Sequence, residues 1–111
     1  MILKFDEMPL TQLPAFKGGE KELVANMFFD GTNRIFRGRL ASGASIGFHT
    51  HDDSCEVIYI LSGTGLLLED DKYTPVTIGD CLYCPKDGSH SLMNPSDSTE
   101  ELVFLAVVCR N

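Results

Sequence analysis

Long apolar runs are absent from this sequence, and no stretch approaches the length of a transmembrane helix. The first residues also lack the apolar centre of a signal peptide, because the acidic Asp6 and Glu7 come so early. We therefore expect a cytoplasmic protein with no membrane partner. Low-complexity tracts and repeats with a period of about 20–50 residues are lacking as well. A chain of 111 residues is then expected to form a single domain.

Basic residues are scarce. The chain has nine lysines and arginines against sixteen aspartates and glutamates, which gives a formal net charge of −7 at pH 7. Such a field repels the phosphates of nucleic acid and anionic membrane surfaces, so neither is expected as a partner. An anionic small molecule is not excluded, because a bound metal ion or an arginine can supply a local positive charge.

A convincing helical periodicity is also missing. Ten glycines and five prolines separate short apolar runs, which is typical of β structure. Residues 1–21 are interpreted as an arm packed on the body, and residues 22–111 as a single domain. Strand candidates follow one another in that domain at residues 22–29, 33–40, 44–51, 55–62, 64–69, 72–78, 81–84, 89–94 and 101–109. Short strands in this number and at this spacing predict an all-β sandwich or barrel.

The sequence has three histidines, and two of them lie in one strand candidate. His49 and His51 are two residues apart, so their side chains point to the same side of a strand. Glu56 opens the next strand after a short turn, and His90 lies in a later one. Three imidazole nitrogens and one carboxylate oxygen suit a divalent transition metal with positions left for water or substrate. An isolated H-x-H pair, however, is more often solvated or hydrogen-bonded.

Strand parity also predicts the surroundings of this site. Ile58 and Ile60 share the face of Glu56, whereas Leu92 and Asn94 share the face of His90. We therefore expect these four residues to line a small-molecule pocket, with the apolar ones closing it from behind.

Two motifs that contain the metal-site residues resemble those of the cupin family. The first, G-x5-H-x-H-x(3,4)-E-x6-G, is matched by Gly43, His49, His51, Glu56 and Gly63. The second, G-x5-P-x-G-x2-H-x3-N, is matched by Gly79, Pro85, His90 and Asn94. One position departs, because Asp87 stands where the family usually has glycine. We therefore expect an altered geometry in the turn before His90.

The resemblance implies a jelly-roll barrel, or double-stranded β-helix, with one divalent metal (Mn, Fe, Ni, Co or Zn) inside. Cupins include dioxygenases, decarboxylases, isomerases and lyases, so the resemblance leaves the reaction open. We expect a metalloenzyme that acts on a small polar molecule such as an organic acid, a keto-acid or a sugar derivative. The alternative is a non-catalytic module that binds a small ligand or a metal.

The cysteines are expected to be structural. Cys81 and Cys84 form a C-x-x-C pair within a strand candidate, and no second pair at similar spacing completes a zinc site. In a reducing compartment we expect free thiols that behave as small apolar side chains.

Two further segments allow more than one interpretation. Arg34, Arg37 and Arg39 could line the mouth of the site and bind a carboxylate or phosphate, but solvated residues or a subunit contact are favoured. Residues 103–108 are apolar on both faces, as in the middle of a sheet or at a dimer interface. Small cupins often pair through their sheets, so the resemblance favours a homodimer.

Overall fold

The computed structural model describes residues 1–110, and within them nearly all regular structure is β-strand. Short 3-10 helices cover Phe5–Glu7 and Phe16–Gly18. The strands are β1 (Thr11–Pro14), β2 (Glu22–Phe29), β3 (Arg34–Leu40), β4 (Ser45–Thr50), β5 (Ser54–Ser62), β6 (Thr64–Glu69), β7 (Lys72–Thr77), β8 (Cys81–Cys84), β9 (Ser89–Met93) and β10 (Leu102–Arg110). The all-β prediction is confirmed. None of the helices in the described residues is long and apolar enough to cross a membrane.

The strands form two antiparallel sheets. The larger has the order β1-β2-β3-β10-β5-β8, and the smaller has the order β4-β9-β6-β7. Every pairing is antiparallel, and strands distant in sequence lie side by side, as in a jelly roll. β10 lies between β3 and β5, so the run apolar on both faces belongs to the middle of a sheet.

Alternation along the strands builds the core between the sheets. Buried residues alternate with more exposed ones along most of β3, β5 and β10, as expected for strands with one face on a core. Phe104 is fully buried and meets the ring of Phe36 edge-on, with centroids 6.0 Å apart. Gly38 lies directly opposite Phe104, and a Cβ there would lie 2.5 Å from the Phe104 ring. A glycine is therefore needed at this place in the sheet.

Part of the arm formed by the first 21 residues joins the barrel wall. β1 pairs with β2, with Leu13 opposite Leu23, and so extends the larger sheet by a strand that its weak periodicity does not predict. The helix Phe16–Gly18 packs against β4. Its contact is a close backbone approach, since a Cβ on Gly47 would overlap the carbonyl oxygen of Lys17.

Candidate metal centre

Four polar side chains from three parts of the barrel converge at one point. They are His49, His51, Glu56 and His90, and one ligand atom of each lies within 4.8 Å of all the others. The Nε2 atoms of His49 and His90 each lie 3.1 Å from that of His51. Oε1 of Glu56 lies 3.0 Å from Nε2 of His51 and 2.8 Å from Nε2 of His90.

Strand pairing explains how these residues meet. His49 on β4 lies directly opposite His90 on β9, next to a register shift between Ile46 and His49. Glu56 points inward on β5 from the other sheet. His51 lies just beyond the end of β4, where its backbone N–H donates to the carbonyl oxygen of Gly88. Strand alternation alone therefore does not place His51. The turn that holds its backbone brings it to the same point as His49.

Hydrogen bonds orient two of the imidazoles toward the centre. Nδ1 of His49 lies 2.7 Å from the carbonyl oxygen of Gly47. A carbonyl can only accept, so Nδ1 carries the proton and Nε2 keeps its lone pair. Nδ1 of His51 lies 3.0 Å from the hydroxyl of Ser54. Such partners fix the ring angle and the tautomer of a metal-binding histidine.

The electrostatic environment favours the forms of these side chains that bind a cation. Burial alone would raise the pKa of Glu56, but hydrogen bonds from His51 and His90 outweigh it and lower that pKa to about 2. Burial lowers the pKa of His49, so its imidazole stays neutral at pH 7. A neutral imidazole and an ionised carboxylate are the ligand forms that a divalent metal requires.

The distances between donor atoms fit the ligand sphere of one ion. Ligands at about 2.1 Å from a metal lie about 3.0 Å apart at a right angle and about 4.2 Å apart on opposite sides. The separations of 2.8–3.1 Å within the group match the first case. The 4.0 Å between Nε2 of His49 and Oε1 of Glu56 matches the second. All four side chains therefore lie close enough together to hold one ion.

The centre opens into a cavity of about 460 Å³ that includes His49, His51 and Glu56 in its lining. Its apolar wall is formed by Phe16, Phe29, Phe36, Ile46 and Val108.

The residues expected to line the pocket lie elsewhere. Ile58, Ile60, Leu92 and Asn94 are fully buried in the core and do not belong to the lining of this cavity. Their side chains face the interior, as predicted. Strand alternation does not tell how far along the barrel a side chain lies, and the cavity is at the other end of these strands. Asn94 instead donates to the carbonyl oxygens of Leu40 and Glu100, at 2.9 and 2.8 Å.

Two parts of the cavity lining depart from the favoured interpretation of the sequence, which left out Phe16 and Lys17 and placed Arg34 at the mouth only as an alternative. Phe16 and Lys17 come from the arm, and nothing in their pattern indicates this. Arg34 also lines the cavity, and here a signal existed. It shares strand parity with Phe36 and Leu40, which are buried, so parity alone assigns Arg34 to the inner face.

Arg37 and Arg39 lie on the outer face of β3, opposite in parity to Phe36 and Leu40. Arg37 forms an ion pair of 2.7 Å with Asp6 of the arm. The favoured interpretation of these two arginines as lying outside the site therefore agrees with their position.

Asp87, the departure from the motif, has a φ of +69°. This is the left-handed region that glycine adopts without strain and that aspartate tolerates better than most residues. Gly88 has no such φ, but a Cβ there would lie 2.9 Å from the carbonyl oxygen of Pro85. Aspartate thus takes a glycine-like conformation in the turn that leads to His90.

All four cysteines are free thiols. Cys81 is exposed and Cys84 is buried, because residues three apart on a strand point to opposite faces. The C-x-x-C pair therefore cannot close a disulfide without breaking β8.

Comparison with known proteins agrees with the geometry. The cupin domain family model matches residues 36–108. An oxalate-binding protein of Thermotoga maritima is 30% identical over 114 residues, which cover 97% of this chain and 93% of that protein. The crystal structure of a predicted oxalate decarboxylase from Thermotoga maritima superposes with a TM-score of 0.89 and 27% identity over 100% of both chains. A sugar phosphate isomerase of the cupin superfamily from Silicibacter pomeroyi shares the fold, with a TM-score of 0.77, 21% identity and coverage of 100% of this chain and 76% of that one. The chain belongs to the cupin family, and its barrel is the double-stranded β-helix of that family.

Proposed function

We propose that this protein binds one divalent transition metal and, through it, a small carboxylate of the oxalate type. The observation that carries the proposal is the convergence of His49, His51, Glu56 and His90 beside an open cavity. The similarity to an oxalate-binding protein of Thermotoga maritima supports the choice of ligand. A protein with a net charge of −7 needs a local positive charge to attract an anion, and a metal ion at this group would supply one.

In this proposal, different side chains have different roles. The three imidazoles and the carboxylate hold the ion, and Gly47 and Ser54 hold two of the imidazoles. When bound, the metal supplies a Lewis acid to which carboxylate oxygens coordinate. Phe36, Ile46 and Val108 limit the access of water from the apolar side of the cavity. Mn, Fe, Ni, Co and Zn all accept this mixed nitrogen and oxygen set.

Catalysis is the second candidate function, favoured by the open cavity beside the four side chains. The likeness to a predicted oxalate decarboxylase supports the same idea. Against it, all three histidines of the chain belong to the metal group. Asp52 and Asp53, the other carboxylates in the cavity lining, are exposed at its edge. Binding without turnover therefore needs fewer assumptions.

Calorimetry on the purified protein tests both candidates. Oxalate should bind the Mn²⁺-loaded protein and should bind the chelator-treated protein at least about tenfold more weakly. Equal oxalate affinity with and without Mn²⁺ would overturn the proposal. Release of CO₂ or formate from oxalate by the loaded protein would establish the catalytic candidate.

We also propose a homodimer formed through the outer face of the larger sheet. That face presents Val57, Tyr59, Leu61, Tyr83 and Leu105, of which the two tyrosines and Leu61 are exposed. The outward positions of β3, β5, β8 and β10 hold no acidic residue, although the chain has sixteen. Light scattering should give twice the chain mass, and Tyr59→Glu should give a monomer. A monomeric wild type would overturn this proposal.

A further inference from the structure

Arg34 and Glu56 face the same cavity from one row of the larger sheet. Val108 of β10 lies opposite Arg34 on one side and opposite Glu56 on the other. On the far side of Arg34, the same row continues to Phe29 of β2. Residues in one such row point to the same face, and strands are about 4.8 Å apart, so Arg34 and Glu56 start about 10 Å from each other.

The guanidinium of Arg34 has no carboxylate partner within residues 1–110. Its side-chain hydrogen bond goes to the sulfur of Met27 at 3.0 Å, which is a weak acceptor. Its Cζ lies 4.5 Å from the centroid of the Phe29 ring. By contrast, Arg37 is paired with Asp6, and Arg110 with Asp53.

An arginine in this position is suited to an anion. Its planar donors match the two oxygens of a carboxylate, and stacking on Phe29 limits the orientations of the guanidinium. Lys17, the other unpaired cation of the cavity, lies over the Phe16 ring at 5.6 Å. A lysine is a mobile point charge and selects less well for a planar group.

We propose that Arg34 binds the distal carboxylate of a dicarboxylate whose other carboxylate is held at the metal centre. This inference rests on the proposed function and names the ligand class more narrowly. The two carboxyl groups of oxalate are joined by a single bond, so a longer dicarboxylate is better suited to span the two side chains. With the two side chains starting about 10 Å apart, the ligands to compare with oxalate are dicarboxylates of four to six carbons. The cavity of about 460 Å³ has room for such a molecule.

Calorimetry with the Mn²⁺-loaded protein and the series oxalate, succinate, glutarate and adipate tests the inference. At least one of the longer acids should bind more tightly than oxalate. Arg34→Gln should weaken the binding of that acid by about tenfold or more, because it removes a charge-assisted contact. Arg34→Lys should restore part of the affinity. The affinity for oxalate should change less than about twofold in both variants. Arg39→Gln, on the outer face, should leave the affinity for every acid of the series unchanged.

The outcomes separate the two proposals. If oxalate binds only the loaded protein but Arg34→Gln leaves the longer acids unaffected, the role of Arg34 is overturned and the proposed function stands. An equal loss of affinity for oxalate and for the longer acids would also overturn the role of Arg34, because such a loss indicates damage to the metal centre. If no member of the series binds the loaded wild type, both proposals fail. Mn²⁺ content and melting temperature show whether Arg34→Gln is folded, and Arg34→Lys provides the test if it is not.

Discussion

The backbone N–H of His51 donates to the carbonyl oxygen of Gly88, and this bond ties one metal-site residue to the turn that precedes another. The turn comes between Pro85 and His90, so its shape affects the position of both imidazoles. Asp87 lies at its centre with a φ of +69°. Substitutions at this residue should therefore act on the metal centre without touching it.

Asp87→Ala should destabilise the protein by about 1 kcal/mol, because a Cβ without a compensating side-chain contact is disfavoured at positive φ. Asp87→Gly should be neutral or slightly stabilising, since glycine adopts this conformation freely. Urea denaturation of both variants measures the difference. Mn²⁺ affinity should follow the same order. Equal stability of the two variants would show that the turn adapts to alanine.

Metal content should be about one ion per chain, and the double substitution His49→Ala/His51→Ala should abolish it. The barrel should still fold, because its core of Phe104, Leu102 and their neighbours is independent of the site. Elemental analysis and circular dichroism give the two measurements, with Arg39→Gln as the control. Equal metal in the wild type and the double variant would contradict the assignment.

Metal affinity should fall steeply as the pH drops below about 6, since protons compete with the ion for the imidazole nitrogens. The lowered pKa of His49 moves its own protonation to more acidic pH. Titration with Mn²⁺ between pH 8 and pH 5 checks this, with circular dichroism to show that the fold persists. A flat affinity over that range would argue against imidazole ligands.

The metal-free protein should lose stability as the pH falls. The pKa of Glu56 is about 2 in the folded state, against an ordinary 4.5. Its contribution is therefore complete above pH 4.5 and is lost as the pH falls toward 2. The lowered pKa of His49 acts in the same direction below pH 6.5. Between pH 6 and pH 3, the wild type should lose about 1–3 kcal/mol more than Glu56→Gln. Parallel profiles in urea denaturation would refute this.

The cysteines should be dispensable for metal binding. Cys84 is buried beside Glu56 in the sheet register, and burial raises the pKa of its thiol to about 11. A thiol that stays protonated is a poor ligand and a poor nucleophile. Cys81→Ser/Cys84→Ser should therefore keep its full Mn²⁺ content, at a stability loss of about 1–2 kcal/mol. Metal loss in this variant, with the fold intact, would give the thiols a role in the site.

Local patterning predicts most of the fold. The bounds of β2, β6 and β8 coincide with the candidates at 22–29, 64–69 and 81–84, because alternation and turn residues act over a few positions. β1 was missed because Thr11–Pro14 contains a proline and little alternation, and its strand geometry depends on pairing with β2. The local sequence of one segment does not reveal which distant segment it pairs with.

The metal group was predictable and the cavity was not. The four metal-site residues follow a fixed spacing, whereas a cavity is what remains after all the other side chains have packed. Parity correctly gave the face of Ile58 and Leu92 but not their depth. Parity also places Arg34 on the inner face of β3, opposite to Arg37 and Arg39.

The pairing of β1 with β2 has a consequence for self-association. Without the first 21 residues, residues 22–25 of β2 would present unpaired N–H and C=O groups to solvent, since β1 pairs with them. Exposed strand edges of this kind recruit strands from other molecules. The arm thus places at this edge a strand of only four residues that ends in Pro14, which disfavours pairing with another molecule. The same segment brings Phe16 and Lys17 to the mouth of the cavity.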